Sequence, residues 1–371
     1  MPDMDVALTT AVDRVRAAAA DRRPLCIRGG GTKDFYGQAL QGEILDTTGL
    51  RGIVSYEPSE LVVTARCGTP LAELEAALAR QGQVLPFEPP YYGAAATVGG
   101  MVAAGLSGPS RAAVGSVRDY VLGLHMVNGR GEMLQFGGQV MKNVAGYDVS
   151  RLLCGSMGTL GLVTEVSLKV LPQVTARATL RFEFDQARAL LQLNRWAGKP
   201  LPIQASCWVM DAGSALLYVR LGGARAAVDA AMQAMGGEPQ PENRVAADWV
   251  ALREQTLPFF DRGPDQCLWR LSVPDTAPVL DLPAAAEVPL LEWGGALRWV
   301  KAPLDAMPAL RAVAAQAGGS ATLFRHAASL AARAPGVFPP LADPLARIHQ
   351  ELKQQFDPHG IFNPGRMYTT F

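Results

Sequence analysis

The chain has 371 residues with 34 basic and 34 acidic side chains, so its formal charge is zero and no global field favours nucleic acid, an anionic membrane or an acidic partner. Hydrophobic residues make up 49% of it, enough for two or three cores at roughly 100–200 residues per domain. Gly, Ser or charges break the apolar stretches well before the roughly 20 residues a bilayer span needs. The N-terminal MPDMDVALTTAVDRVRAAAADRRPL mixes acids and arginines through an amphipathic pattern, unlike a basic-then-apolar leader, which predicts a mature cytoplasmic chain without its own membrane anchor.

Val6, Leu8, Val12 and Val15 have helical spacing, Leu25–Ile27 read as a strand, and Arg28-Gly29-Gly30-Gly31-Thr32-Lys33 follow as a tight loop. Consecutive glycines let successive backbone N–H groups converge on one anion, while Thr32 adds a hydroxyl and Arg28 or Lys33 a charge. The loop matches neither GxGxxG nor GxxxxGK[ST], and by itself it reads equally well as a turn. GEILDTTGL and GIVSYEPSELVVTARCGTPL supply short β-branched strands, and LAELEAALARQG is an amphipathic helix stopped by Gly82. From Leu85 to Gly115 the chain is rich in Gly, Ala, Ser and Pro and nearly free of charge, a composition that lets backbone pass close to something buried, such as a ligand.

DYVLGLHMVN and GRGEMLQFG form a hairpin through Asn128-Gly129, and GLVTEVSLKVLP closes a first domain at Pro172. ATLRFEF, DQARALLQLNRWAG, QASCWVM, SALLYVRL and GARAAVDAAMQAMGG then read as β-α-β-β-α. A similar order recurs around LWRLSV, ALRWVKA, LDAMPALRAVAAQAGG and ATLFRH, which predicts an antiparallel α+β unit. A helix, a turn and a tail end the chain. The expected divisions are 1–172, 173–345 and 346–371.

Five cysteines (Cys26, Cys67, Cys154, Cys207, Cys267) form no CxxC and sit in apolar contexts, as buried small hydrophobes do. The histidines are His125, His326, His349 and His359, with no pair at helical or turn spacing, so no metal site is expected. Arg325-His326 has the chemistry to pair a carboxylate and take a proton, but an alternating strand with outward polar residues explains it better. His125 reads as a satisfied core residue and His359 as part of a DPHG turn. The tryptophans read as packing.

Ala96-Thr97-Val98-Gly99-Gly100, Ser107-Gly108, Gly115-Ser116 and Gly155-Ser156-Met157-Gly158-Thr159-Leu160-Gly161-Leu162-Val163 join the first loop at intervals that resemble the FAD domain of the vanillyl-alcohol oxidase / p-cresol methylhydroxylase (PCMH-type) flavoproteins. The resemblance covers about residues 1–172. It implies an α+β fold: a PCMH-type two-subdomain FAD-binding domain, then a smaller α+β (ferredoxin-like) cap domain and a C-terminal tail returning to the flavin domain. It also implies that Arg28, Gly29, Gly30, Gly31, Thr32 and Lys33 hold the pyrophosphate. Pro90, Thr97, Val98, Gly99, Gly100, Gly105, Ser107, Gly108, Gly115 and Ser116 would line pyrophosphate and isoalloxazine, and Gly158, Gly161 and Val163 would meet adenine and ribose. Lys142 in Lys142-Asn143-Val144-Ala145-Gly146-Tyr147-Asp148 would stand beside the flavin, where a cation favours its reduced anionic form, although the segment also reads as an exposed loop with a capping Asp148. Asn363 in Asn363-Pro364-Gly365-Arg366 would reach back to the flavin region.

EPSELVVTARCGTPLAELEAAL, LPFEPP, GGMVAAGLSGP, GGQVMKNVAGYDVSRLLCGSMGTLG and DPHGIFNPGRM resemble more closely the family of smaller FAD-binding subunits of bacterial glycolate oxidases. That family implies glycolate oxidation to glyoxylate in a complex with a larger catalytic flavin subunit and an iron–sulfur subunit, reaching the inner membrane only through the complex. Where covalent flavoproteins often place a His in the first loop, this chain has Thr32-Lys33, which implies noncovalent FAD. The HxGDGNxH-like segment of catalytic relatives is missing, which implies that the partner does most of the oxidation. A flavin-free assembly subunit and an autonomous FAD-dependent 2-hydroxy-acid oxidase remain the alternatives.

Overall fold

The computed structural model describes residues 6–138, 147–326 and 336–370. Its contacts divide the chain into two units: Met1–Ser107 with Ser116–Gln173 and Pro340–Phe371, and Gly108–Gly115 with Val174–Pro339.

The first unit opens with helix α1 (Val6–Asp21) and the parallel pair β1 (Leu25–Arg28) and β2 (Glu43–Asp46). Strands β3 (Ile53–Glu57) and β4 (Val62–Arg66), helix α2 (Leu71–Ala79), the two-residue β5 (Gln83–Val84) and helix α3 (Val98–Ala104) follow. Helix α4 (Arg111–Val114) lies in the stretch that belongs to the second unit. The first unit resumes with the hairpin β6 (Val121–Val127) and β7 (Met133–Gly137), then α5 (Val149–Leu152), β8 (Leu162–Lys169) and β9 (Leu171–Pro172). A five-stranded antiparallel sheet of order β3-β4-β8-β6-β7 carries its larger core. Leu71, Leu74 and Leu78 repeat at helical spacing and bury one face of α2 in it. A second cluster joins Val12, Val15, Leu25 and Leu45 to Phe362 near the C terminus. Asp148 caps α5, accepting from Arg151 N at 3.2 Å.

The second unit contains β10 (Ala176–Glu183), α6 (Gln186–Ala197), β11 (Ile203–Asp211), β12 (Ser214–Gly223), α7 (Arg225–Met235), β13 (Glu238–Gln240) and α8 (Glu242–Glu254). It continues with β14 (Gln266–Ser272), β15 (Leu290–Glu292), β16 (Leu297–Pro303), α9 (Met307–Gln316) and β17 (Ser320–Arg325). All eight strands form one sheet of order β13-β10-β12-β11-β15-β16-β14-β17. The first four in chain order stand as 4-1-3-2, the ferredoxin-like arrangement, and the last four repeat it in mirror order, so the halves meet where β11 pairs with β15.

The halves differ most between their first two strands. Helix α6, capped by Asp185 accepting from Arg188 N at 2.7 Å, has coil 273–289 as its counterpart. Pro274, Pro278, Pro283 and Pro289 remove amide donors there and preclude a helix. Arg298, only 1% exposed, holds the coil by donating to Pro278 O and Ala277 O at 2.6 Å each, and to Gly295 O at 3.1 Å. Burial pushes its pKa down to about 10.

Helix α10 (Asp343–Phe356) returns the chain to the first unit. There Leu352 and Phe356 pack on the larger core, and Phe362 bridges to Leu25 in parallel.

Candidate cofactor site

An open cleft runs through the first unit. Of the residues named from sequence, Arg28, Gly29, Gly30, Gly31, Thr32, Lys33, Thr97, Gly99, Gly100, Gly158, Gly161, Val163 and Asn363 line it together. Strand β1 delivers the first loop, α3 the ATVGG segment, and the turn before β8 the third.

The loop is built from close approaches. A Cβ on Gly30 would lie 1.6 Å from Ala95 O, and one on Gly31, whose φ is +70°, would lie 2.1 Å from Arg28 Nη2. Thr97 caps α3 by accepting from Gly100 N at 3.2 Å, while Gly99 packs so tightly that a Cβ would stand 2.6 Å from that of Cys67. Among the described residues the N–H groups of Gly29, Gly30, Gly31, Thr32 and Gly158 have no acceptor. A polyanion such as a dinucleotide pyrophosphate is the ligand such a nest suits.

Both cations of the loop line the cleft and are also held by neighbouring segments. Arg28 Nη2 pairs with Asp34 at 2.7 Å, which raises its pKa, and Lys33 Nζ donates to Tyr91 O at 3.2 Å and lies 5.6 Å from the Tyr92 ring centre. Both side chains brace neighbouring segments and line the cleft beside the backbone amides.

The C-terminal segment completes the walls. Asn363 Oδ1 accepts from Ile27 N, and its Nδ2 donates to Met157 O, both at 2.7 Å. Arg366, also in the cleft, donates to the carbonyls of Lys33, Asp34, Tyr36 and Gln38, so one buried guanidinium gathers the loop that follows the glycines. Burial lowers its pKa, against the raising effect of Asp34. Sequence reasoning missed Arg366, and the only signal for it was its place in the NPGR turn. Cys67 also lines the cleft, and burial raises its thiol to about 12, which leaves it protonated and inert.

Other named residues stand elsewhere. Val98 and Pro90 are buried in packing. Gly105 ends α3 at φ +64°, where a Cβ would lie 2.8 Å from Gly155 Cα, so backbone rather than ligand crowds it. Ser107 Oγ accepts from Val117 N at 3.2 Å, and Ser116 spends both N–H and hydroxyl on Asp119. Gly108 and Gly115 lie in the stretch of the second unit, where Gly108 O accepts from Trp293 Nε1 at 3.0 Å. Lys142 lies outside the described residues. His125 is a correction: its side chain is 37% exposed with Nδ1 3.7 Å from Glu165, because Leu124 and Met126 take the core positions on either side. Arg325 Nε donates to Gln255 at 2.8 Å.

Comparison with known proteins gives this geometry a family. An FAD binding domain model matches residues 9–137. The chain is similar in fold to p-cresol methylhydroxylase with substrate bound, at a TM-score of 0.70 and 13% identity over 98% of this chain and 88% of that one. It is 31% identical over 197 residues to the glycolate oxidase subunit GlcD of Bacillus subtilis (strain 168), covering 52% of this chain and 42% of that protein. To the glycolate oxidase subunit GlcE of Escherichia coli (strain K12) it is 49% identical over 358 residues, 96% of this chain and 96% of that protein. The chain therefore belongs to the glycolate oxidase subunit GlcE family, FAD-dependent proteins with the PCMH-type fold.

Proposed function

We propose that the chain is the FAD-carrying subunit of a glycolate oxidase complex, which passes electrons between a larger catalytic flavin subunit and an iron–sulfur subunit. The observation that carries this reading is the row of unpaired amides from Gly29 to Thr32 in a chain that matches a GlcE subunit almost end to end. Bound FAD supplies an electron acceptor that the protein orients and screens from water. The amides of Gly29, Gly30, Gly31, Thr32 and Gly158 would hold its pyrophosphate, while Leu162 and Val163 offer apolar contact. Asn363 fixes Ile27 and Met157 on either side. Noncovalent binding is supported by a cleft lining without His and by the protonated thiol of Cys67.

Assignment of the oxidation to the partner rests on the sequence, which has four histidines and no HxGDGNxH-like segment. The purified full chain is expected to show flavin bands near about 370 and 450 nm and negligible glycolate turnover until the partner subunits are added. A bare 280 nm peak at saturating FAD would favour a flavin-free assembly role. Full turnover by the isolated chain would favour an autonomous oxidase.

A further inference from the structure

Lys353 and Asp357 stand one turn apart at the end of α10, with side chains 8% and 0% exposed and Nζ to Oδ2 at 2.7 Å. Neither lines the cleft. Burying an ion pair costs desolvation that the attraction alone barely offsets, so such a pair is weak evidence for stability and better evidence for fixing one arrangement. The arrangement here is specific. Lys353 Nζ uses its remaining N–H donors on Thr159 O and Phe362 O, each at 2.7 Å. Asp357 accepts from Ile361 N at 3.1 Å through Oδ1 and from Phe362 N at 2.7 Å through Oδ2.

The two carbonyls on Lys353 belong to two segments that adjoin the site. Thr159 follows Ser156-Met157-Gly158 of one wall, and Phe362 precedes Asn363, which ties Ile27 to Met157. One buried ammonium therefore ties the segment after Gly158 to the segment before Asn363, which in turn holds Ile27 of β1.

We propose that Lys353 and Asp357 are positioning residues for FAD, the latch of a clasp spanning 353–366 whose closure and FAD occupancy stabilise each other. The proposal rests on FAD occupying this cleft. Linkage makes the coupling reciprocal: a clasp that tightens FAD binding must be tightened by FAD to the same degree.

FAD titration of the full-length apo chain, followed by quenching of flavin fluorescence, tests the first direction. Lys353→Met is expected to raise the FAD Kd about tenfold or more, and Asp357→Asn, which keeps the shape but not the charge, by a smaller factor. Leu168→Ala, at the end of β8 remote from Gly161, destabilises the same unit and is expected to leave Kd unchanged. The reverse direction needs no variant: FAD added to the wild-type apo chain is expected to slow tryptic cleavage at Arg366 about tenfold relative to cleavage at exposed Arg195.

An unchanged Kd in Lys353→Met, an equal loss in Leu168→Ala, or FAD-independent cleavage at Arg366 would each overturn the clasp while FAD binding stands. A wild-type chain that takes up no FAD would overturn both readings.

Discussion

Both units hold irregular backbone with buried polar side chains, but to different ends. In the second, one sheet and its helices bury Leu217, Val219, Trp269 and Val300 completely or nearly so, and one charged side chain, Arg298, is spent on coil 273–289 where prolines have removed a helix. In the first, the cleft needs loops whose amides stay free for a ligand. Such loops cannot satisfy themselves, so Lys353 and Asp357 outside the cleft and Asn363 and Arg366 in its wall tie them to the rest of the unit. In one unit such ties close a coil onto an apolar scaffold, and in the other they leave loop amides open to a site.

That contrast is breakable. The largest effect is expected from Gly30→Val, because a Cβ placed 1.6 Å from Ala95 O must displace the loop. Flavin absorbance per chain should fall to background while the second unit stays folded by its tryptophan fluorescence. Arg298→Met should act the other way round. Leaving the carbonyls of Ala277, Pro278 and Gly295 without their donor is expected to cost about 3 kcal/mol in urea unfolding of the second unit, and FAD content at saturation should be unchanged. The smallest effect is expected at Cys67. Acid precipitation of wild type and Cys67→Ala should release all flavin to the supernatant in both, and flavin retained only by the wild type would show a covalent bond that the protonated thiol argues against.

Much of the first unit was legible because its signals are local. The Arg28–Lys33 loop after a strand and the β-branched runs of β4 and β8 each depend on residues adjacent in sequence. The repeated strand–helix order of the second unit was legible for the same reason, although α8 was not, since its mean pattern is polar and its anchors Val245, Trp249 and Leu252 bury against strands distant in sequence. Glycine spacing was less informative. Gly31 and Gly105 both have positive φ, yet one lines the cleft and the other lets α3 pass Gly155.

By itself, then, the sequence determined most of the strand order, the larger helices other than α8, the glycine-rich loops and the family pattern, because these follow from neighbouring φ/ψ preferences and periodicity. Only the tertiary structure decided that the loop's own cations turn to Asp34 and Tyr91, that Gly108–Gly115 belongs to the second unit, and that Arg366 and Lys353 hold the cleft. Those ties join residues separated by up to 333 positions, as from Arg366 to Lys33. A partner's identity at that distance is set by how the chain packs, which no window of sequence contains.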